Sequence, residues 1–388
     1  MKFSVPPVRF VVALGVLSLA TACANKHPRD KPAELTKFSS TATIDKVWSF
    51  SAGDGAPKLR LGLSLATDGK VIYTASHKGD VTAIDAASGK KLWHVKTALK
   101  LTGGPGVGDG LVVAGASHGD IVALDAATGA RKWKSHINSE VLAAPAIGGG
   151  VVVVRMGDGR VVGLNAADGT EKWSAEQTVP KLSLRGTGKP AIVGNIALCG
   201  FDTGRVMALA LSDGGTLWDA NVSPPSGKSE IERLNDVDSA VKVGGDDIYA
   251  VNYHGKAVRI NRDTGQVLWS RDVSSYAGIA IDDEGVYVSS DTGSLVKLGR
   301  RNGVELWKQE ALAFRRLSPP TVVGGMLVVA DYQGYVHVLS DKGELLARSH
   351  AMGARVSAAP LVVGDLLVMM DVDGKVVALR ITPQAQKG

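Results

Sequence analysis

A glycine-led repeat constrains the fold of this chain more than any other feature. Eight times a glycine precedes a short apolar strand, and the spacing between successive copies is nearly constant. These glycines are Gly79, Gly119, Gly159, Gly204, Gly255, Gly293, Gly334 and Gly374. In the first six copies a tryptophan follows the glycine at one fixed distance, from Gly79 to Trp93 in the first and from Gly293 to Trp307 in the sixth. A period near 40 with several strands per repeat predicts a β-propeller.

The third repeat shows how each copy divides into strands. The run from Val151 to Arg155, which is apolar from Val151 to Val154, is followed by a turn at 157–159, a second run at 160–164, a turn ending at Gly169 and a strand ending at Trp173. Short β-branched runs bounded by Gly and Asp are typical of hairpins. A strand that is apolar throughout suits burial on both faces. The pattern predicts an all-β fold of four-stranded antiparallel blades with very little helix.

The tryptophans can be interpreted in two ways. Indoles stack on sugars or flat cofactors, and they also fill gaps between packed sheets while donating a hydrogen bond through the ring N–H. A ligand site needs one such residue, whereas this chain has one at a fixed place in most repeats. We therefore predict that the tryptophans dock adjacent blades; they are Trp48, Trp93, Trp133, Trp173, Trp218, Trp269 and Trp307.

The two ends of the chain supply complementary pieces of a blade. Residues 374–380 form the third strand of a last repeat that has no fourth strand after it. At the other end, Thr43 to Phe50 is a strand carrying Trp48, with no glycine-led strand before it. Pairing these segments removes exposed sheet edges. We predict an eight-bladed β-propeller in which the N-terminal strand becomes the outer strand of the last blade and closes the ring.

The N-terminus has the pattern of an export signal. Lys2 and Arg9 give a positive start, and residues 10–20 are an apolar run too short to span a bilayer. Small residues directly before Cys23 resemble a lipoprotein signal, which makes this cysteine the lipidation site. The alternative is an ordinary secretory cleavage site with an incidental cysteine. The predicted divisions are a lipoprotein signal peptide at 1–22, a flexible lipid-anchored tether at 23–40, the propeller at 41–382 and a C-terminal tail at 383–388.

Ala24, the residue after the cysteine, bears on the destination of the protein. Under the sorting rule of enterobacterial lipoproteins, the absence of Asp at this position implies transfer to the outer membrane. An acyl chain anchors a folded domain to the membrane without embedding it. We expect a lipid-anchored protein that faces the periplasm.

Little else in the sequence indicates chemistry. Cys199 is the second of two cysteines and lies in an apolar run, which favours a buried small residue over a nucleophile. The turn 202–204 contains one Asp and is interpreted as a turn, not as a cation site. No metal-ligand spacing or nucleophile motif occurs. The net charge of +6 is spread over scattered residues, which argues against a nucleic-acid partner.

Two sequence segments resemble the repeat of a known protein family. AIDAASGKKLW at 83–93 and ALDAATGARKW at 123–133 resemble the pyrroloquinoline-quinone propeller repeat. That family includes quinoprotein dehydrogenases and the lipoprotein B subunits of the outer-membrane β-barrel assembly machinery. The resemblance covers about residues 41 to 382. The repeat is specific for the fold and says little about function.

Three features separate these two groups. The dehydrogenases resemble one another in a pair of adjacent cysteines, which this chain lacks, and in long insertions, whereas these repeats are near minimal length. The lipoprotein signal and the strings VPKLSLRG at 179–186 and RLNDVD at 233–238 are similar to the assembly-machinery subunit. This resemblance implies a non-enzymatic scaffold without a cofactor. It also implies docking on the periplasmic POTRA domains of the central barrel subunit, with unfolded outer-membrane proteins as further partners.

The two longest repeat intervals, from Gly159 to Gly204 and from Gly204 to Gly255, indicate where a partner binds. Their extra length falls into loops at 176–189 and 223–240, and loops on a rigid scaffold often carry recognition. Apolar anchors beside an arginine, near two carboxylates, suit a partner-binding patch. The predicted partner-binding residues are Leu182, Leu184, Arg185, Asp236 and Asp238.

The residues alone leave a second interpretation of this patch open, in which the leucines enter the core and Arg185 pairs with Asp236 or Asp238 inside the protein. The resemblance favours the interface. Arg315 and Arg316 form a further candidate for partner contact.

A second function remains open at this level. The propeller could be a quinone- or sugar-binding periplasmic protein, an enzyme or a binding module, that uses its central channel. Pyrroloquinoline quinone with Ca²⁺ would then raise its thermal stability. A generic periplasmic adaptor for another envelope complex is a third hypothesis.

Overall fold

Every regular element in the described part of the chain is a β-strand. The computed structural model describes residues 1, 31–53, 55, 59, 61–177, 188–224, 237 and 239–384. Within these residues, no helix has the length and apolar character needed to cross a membrane. The strands form eight separate sheets, which are the eight blades of the predicted propeller.

Blades 1 to 4 each contain four consecutive antiparallel strands, numbered here from the inside to the outside of the ring. Blade 1 consists of Ala66–Thr67, Val71–Ala75, Asp80–Asp85 and Lys91–Lys96. Blade 2 consists of Leu101–Gly108, Leu111–Ala116, Asp120–Asp125 and Arg131–His136. Blade 3 consists of Ala146–Gly148, Val151–Arg155, Val161–Asn165 and Glu171–Ala175. Blade 4 consists of Ala191–Val193, Ile196–Phe201, Arg205–Ala210 and Thr216–Asn221.

Blades 5 to 7 repeat this plan, and blade 8 takes its outer strand from the other end of the chain. Blade 5 consists of Lys242–Gly244, Asp247–Val251, Lys256–Asn261 and Val267–Asp272. Blade 6 consists of Gly278–Ile281, Gly285–Ser289, Leu295–Gly299 and Glu305–Gln309. Blade 7 consists of Thr321–Val323, Met326–Ala330, Tyr335–Leu339 and Leu345–His350. Blade 8 consists of Leu361–Val363, Leu366–Met370, Lys375–Pro383 and Ala42–Ser51.

The ring is closed by the N-terminal strand. Ala42–Ser51 pairs antiparallel with Lys375–Pro383, with Ala42 opposite Pro383 and Ser51 opposite Lys375. Segments from opposite ends of the sequence thus share one sheet. The prediction of an eight-bladed propeller closed by this strand is confirmed.

One short strand lies outside the four-stranded plan. Gly62–Leu63 pairs in parallel with the first strand of blade 2, next to Gly103 and Gly104, so this sheet has five strands. Gly62 also packs against Leu142, because a Cβ at Gly62 would lie 1.8 Å from the Leu142 carbonyl oxygen. The connection into blade 1 therefore lines the inner edge of blade 2.

The hydrophobic core is divided among the junctions between blades. Eight buried clusters occur in the described residues, and each combines side chains of two neighbouring blades. Val151 and Val153 pack toward blade 4, whereas Val152 and Val154 pack toward blade 2. Alternate side chains of one strand point to opposite faces, and burial on both faces is why the run is apolar throughout.

Each tryptophan lies at one of these junctions. Its Nε1 donates to a backbone carbonyl of the next blade over 2.7–3.0 Å, and the acceptors are Ala86, Ala126, Ala166, Leu211, Arg262, Arg300 and Asp341. The indole covers a glycine with positive φ in the turn between the third and fourth strands of that blade. These glycines are Gly89, Gly129, Gly169, Gly214, Gly265, Gly303 and Gly343. A Cβ on any of them would lie within 2.9 Å of the indole, so the ring needs glycine beneath it.

The junction between blades 7 and 8 has no indole. Ala347 occupies the tryptophan position there, since it pairs with Val338 as Trp93 pairs with Ala83. Blade 8 joins the two ends of the chain, so it has no turn between its third and fourth strands for an indole to cover. Instead the Thr41 N–H donates to the Leu346 carbonyl over 2.8 Å. Backbone pairing and a cluster of aliphatic and methionine side chains therefore hold this junction together without an indole.

Replacing Gly169 by Ala tests the contact between indole and glycine. The new Cβ would lie 2.5 Å from Trp133 at a φ of +76°. Gly150→Ala is the matched control, with a φ of +74° and nothing within 4 Å. We expect a cost of about 1–2 kcal/mol in the control from left-handed strain and about 1–3 kcal/mol more for Gly169→Ala from overpacking. Urea unfolding midpoints measure the difference. Equal losses of stability in the two variants would contradict a close contact between the indole and Gly169.

Deleting residues 24–52 tests ring closure. The deletion removes the outer strand of blade 8 and Trp48, and it leaves Lys375–Pro383 as an open edge. We expect the free energy of unfolding to fall by more than the about 3–5 kcal/mol typical of losing a buried tryptophan. Adding the peptide 42–51 in trans should restore part of the melting temperature. An unchanged melting temperature after deletion would rule out closure by this strand.

Candidate functional site

The two ends of the propeller carry different connections. In each blade the turn between the second and third strands and the connection leaving the fourth strand lie at the same end, because neighbouring strands run in opposite directions. We call this end the loop face and the opposite end the turn face. The long connections that follow Ala175 and Asn221 both leave fourth strands, and they therefore start on the loop face.

The sequence-predicted contact residues belong to these two connections. Leu182, Leu184, Arg185, Asp236 and Asp238 lie outside the residues that the structure describes, as does Cys23. Their proposed roles rest on the described residues that flank them.

The described ends of the two long connections touch each other. A Cβ at Gly188 would lie 2.9 Å from the Ser239 carbonyl oxygen and 3.0 Å from that of Val237, so the backbones are in direct contact there. Val237 is fully buried between blades 4 and 5, and its N–H donates to the Phe201 carbonyl over 3.2 Å. The fold thus brings together two segments that lie on opposite sides of blade 4 in the sequence.

A central cavity of about 640 Å³ opens beside this contact. Its described lining includes four basic residues, Lys189, Lys242, Arg316 and Arg355. Asp371 is the one acidic residue in the described lining. The Asp371 carboxylate accepts four backbone N–H groups over 2.9–3.2 Å. The wall is therefore predominantly cationic, with its carboxylate already held by the backbone.

Both cavity lysines lie among many protein atoms. The Lys189 side chain is exposed and lines the cavity. Burial lowers the pKa of Lys189, and repulsion from Lys242 lowers it further. Burial likewise lowers the pKa of Lys242. The two ammonium groups are close enough to interact unfavourably.

Aromatic side chains form a second feature of the loop face. The rings of Tyr253 and His254 stack with centroids 3.8 Å apart, and Tyr276 meets Tyr253 edge-on at 6.3 Å. Both tyrosines also line the central cavity. Burial raises the pKa of Tyr253, with contributions from Asp291 and Tyr276. Aromatic residues beside cations are the residue types that dominate binding surfaces.

The consecutive arginines at 315 and 316 have different environments. Phe314 and Arg316 both adopt a positive φ, of 56° and 50°, so the chain turns sharply here. Arg315 points inward and its Nε donates to Asp331 over 2.7 Å. Arg316 is exposed and lines the cavity. Only Arg316 is therefore placed to meet a ligand or partner.

Arg315 belongs to a buried charge network that holds the start of the described chain. Arg315 Nη1 donates to the Ala33 carbonyl over 3.0 Å, and Arg348 Nη1 donates to the Thr36 carbonyl over 2.9 Å. The Arg348 guanidinium also lies 5.0 Å from the centre of the Phe38 ring. Packing onto the propeller thus begins at Ala33, within the segment predicted as a tether.

His337 lies at the centre of this network and is fully buried. Its Nε2–H donates to Asp331 over 3.1 Å, and its Nδ1 accepts from Arg348 over 3.3 Å. Burial lowers the pKa of His337, and Arg348 and Arg315 reinforce this against the opposing pull of Asp331. Burial opposes ionisation of Asp331, but hydrogen bonds from His337 and Arg315 outweigh it and hold the Asp331 pKa below its ordinary range.

The network predicts a pH dependence of stability. Because the His337 pKa is lower in the folded than in the unfolded state, the unfolded chain gains the proton first as the pH falls below the usual value near 6.5. Stability should therefore decline between pH 7 and pH 5. The decline should be smaller in His337→Gln, which keeps a donor and an acceptor but cannot titrate.

Urea midpoints across this pH range measure the effect. The exposed His118 provides the control, because His118→Gln removes a histidine outside the network. Identical pH profiles for wild type and His337→Gln would contradict the assignment.

Asp202 and Cys199, for which the sequence predicted a turn and a buried thiol, lie at the junction of blades 3 and 4. Asp202 lies in a turn and pairs with the buried Arg155, whose Nη2 is 3.0 Å away. Cys199 is fully buried, and burial raises the pKa of its thiol to about 12, so it carries no thiolate at neutral pH. Within the described ranges, no group of His, Cys, Asp and Glu side chains could hold a metal ion.

The cavity residues were not singled out from the sequence. Lys189, Lys242, Tyr253 and Tyr276 sit in connections and at strand starts without a shared motif. Ring closure brings them together, so no local pattern indicates their proximity. None of the seven indoles is among the described residues that line the cavity.

Eight radial sheets with an indole over a turn glycine at seven of their junctions define a β-propeller of the pyrroloquinoline-quinone repeat type. A family model described as outer membrane protein assembly factor BamB matches residues 27–100, 77–309 and 277–383. The chain belongs to this family.

Individual relatives agree with this assignment. An outer membrane protein assembly factor BamB from Pseudomonas aeruginosa is 46% identical over 330 residues, which cover 84% of this chain and 87% of the relative. Its counterpart from Alkalilimnicola ehrlichii is 40% identical over 341 residues, covering 88% of both chains. The crystal structure of BamB from Moraxella catarrhalis superimposes with a TM-score of 0.80 at 29% identity, covering 87% of this chain and all of that one.

More distant structures share the fold alone. A quinohemoprotein alcohol dehydrogenase from Pseudomonas putida HK5 superimposes with a TM-score of 0.65 at 14% identity, covering 88% of this chain and 77% of that one. Identity at this level carries no information about a cofactor or reaction.

Proposed function

We propose that this protein is a non-enzymatic scaffold in the assembly of outer-membrane β-barrel proteins. The observation that carries the proposal is the family membership, with relatives named outer membrane protein assembly factor that match most of the chain. In this role the propeller docks on the periplasmic POTRA domains of the central barrel subunit. It fixes their orientation and assists the folding and insertion of barrel proteins without making or breaking a bond.

The geometry of the loop face supports docking there. The two long connections meet where Gly188 contacts Val237 and Ser239, so their apolar and charged residues can act as one patch. Asp236 and Asp238 supply the carboxylates of the proposed patch. Leu182, Leu184 and Arg185 supply the apolar anchors and the guanidinium of the proposed patch.

The anchor is part of the same proposal. Cys23 carries the acyl chains, and the protein is held on the periplasmic side of the outer membrane. The described chain contacts the propeller from Ala33 onward, a short distance in sequence after Cys23.

The seven indoles give no support to the quinone- or sugar-binding alternative. The seven indoles are engaged between blades, so they are not available to stack on a sugar or a flat cofactor. The dehydrogenase neighbours share only the fold.

Co-purification from envelope extracts tests the docking surface. We expect the triple replacement of Leu182, Leu184 and Arg185 by Ala to lower recovery of the barrel subunit by about tenfold or more, since anchor residues each contribute about 2 kcal/mol or more to an interface. The melting temperature should barely change. A large fall in melting temperature instead would show that the leucines belong to the core.

Lys70→Ala and Lys90→Ala provide the matched control. Both lysines are exposed in turns of blade 1 on the turn face, remote from the long connections. Their replacement should leave recovery of the barrel subunit unchanged. Equal losses in both sets of variants would contradict docking through the loop face.

A further inference from the structure

The central cavity concentrates positive charge that the described protein does not neutralise. Lys189 comes from the connection between blades 3 and 4, Lys242 from the first strand of blade 5, and Arg316 from the connection between blades 6 and 7. Among the residues that the structure describes, none of the three has an ion pair or hydrogen bond. Most other described arginines have such partners, so Arg316 differs from them.

The single carboxylate on the described wall does not change this balance. Asp371 uses both oxygens to accept backbone N–H groups of Gly353, Ala354, Asp373 and Lys375. It fixes the local turn and has little capacity left for a lysine. Arg355 also lies on this wall but has an interaction of its own, so it is not counted among the proposed ligand contacts.

From this convergence we propose that the central cavity binds an oxyanion, a carboxylate or a phosphate, through Lys189, Lys242 and Arg316. An anion between the two lysines removes their mutual repulsion and restores the solvation that each ammonium group loses on burial. The lowered pKa of both lysines shows that their charged forms are disfavoured in the cavity, and a bound anion would offset this free-energy cost. Arg316 contributes a planar fork that matches either kind of oxyanion.

The size and wall of the cavity suit a small or extended ligand. Its volume of about 640 Å³ falls within the range of about 300–1,000 Å³ typical of ligand sites. Ser64 and Ser357 add hydroxyl groups, and Tyr253 and Tyr276 add aromatic surface. A multivalent carboxylate, a phosphate or the side chains of an acidic peptide segment all present the same chemistry to these residues.

This inference goes beyond the scaffold role and does not depend on it. Docking through the long connections requires no ligand in the cavity, and an anion in the cavity requires no barrel subunit. The two proposals can therefore fail separately. The single variant Lys242→Gln, which lies in the first strand of blade 5 and outside both long connections, should bind the anion more weakly and still recover the barrel subunit normally from envelope extracts.

Calorimetric titration of the mature protein tests the site. The probes are citrate and inorganic phosphate against sodium chloride at matched ionic strength, and a pentaglutamate peptide against pentaglutamine. We expect saturable binding of at least one anionic probe. The variant Lys189→Gln/Lys242→Gln should bind that probe about tenfold or more weakly for each cation removed.

Lys172→Gln is the matched control, because Lys172 is exposed on the outer strand of blade 3 and far from the axis. Its replacement should leave the affinity unchanged. Binding of citrate or phosphate would identify a free anion as the source, and binding of pentaglutamate alone would identify a protein segment.

Two results would overturn the proposal. One is the absence of saturable binding for every anionic probe. The other is equal affinity in wild type and the double lysine variant. If the double variant lost thermal stability and wild type bound no anion, the lysines would be paired within the chain, and the site would not exist.

Discussion

The stacking of an indole on a glycine of the neighbouring blade is the contact on which this structure depends. The glycine adopts a positive φ that tightens the turn, and its missing side chain leaves the space that the ring occupies. The ring N–H then reaches a carbonyl on the same blade. Apolar contact and a directed hydrogen bond thus fix the angle between blades at seven of the eight junctions.

A rigid ring lets the loop face vary without changing the fold. The cores lie between blades and take only a few side chains from each connection, such as Ile137 and Val141 at one junction and Val237 and Val241 at another. Long connections can therefore carry recognition residues at small energetic cost. The same ring brings Lys189, Lys242 and Arg316 around one axis from three distant parts of the sequence.

Much of the architecture could be predicted because it repeats. The period, the turn glycines and the tryptophans are local patterns, and they predicted the eight blades and the N-terminal closure. The strand Gly62–Leu63 escaped prediction because so short a segment carries no period. The clustering of the cavity residues could not be predicted from the sequence either, for a different reason. Their proximity arises from the closed ring, and nothing near Lys189 in sequence indicates that Lys242 lies close by.

The candidate partner surface could be approached only partly from the sequence. Repeat length identified the two long connections, and the contact of Gly188 with Ser239 shows that their ends adjoin. The sequence alone did not distinguish Arg315 from Arg316. The fold separates them, since Arg315 is committed to Asp331 and Arg316 faces the cavity. This difference depends on the backbone conformation, in which Phe314 and Arg316 adopt a positive φ, and two identical residues in a sequence do not reveal it.

The closing strand also determines when the propeller can complete its fold. Ala42–Ser51 is synthesised long before its partner Lys375–Pro383. Until the partner strand has been made, the early strand has no edge to join, and an unpaired strand edge invites aggregation. The ring can therefore close only after Lys375–Pro383 is available, and a product truncated before this strand cannot form the closed propeller.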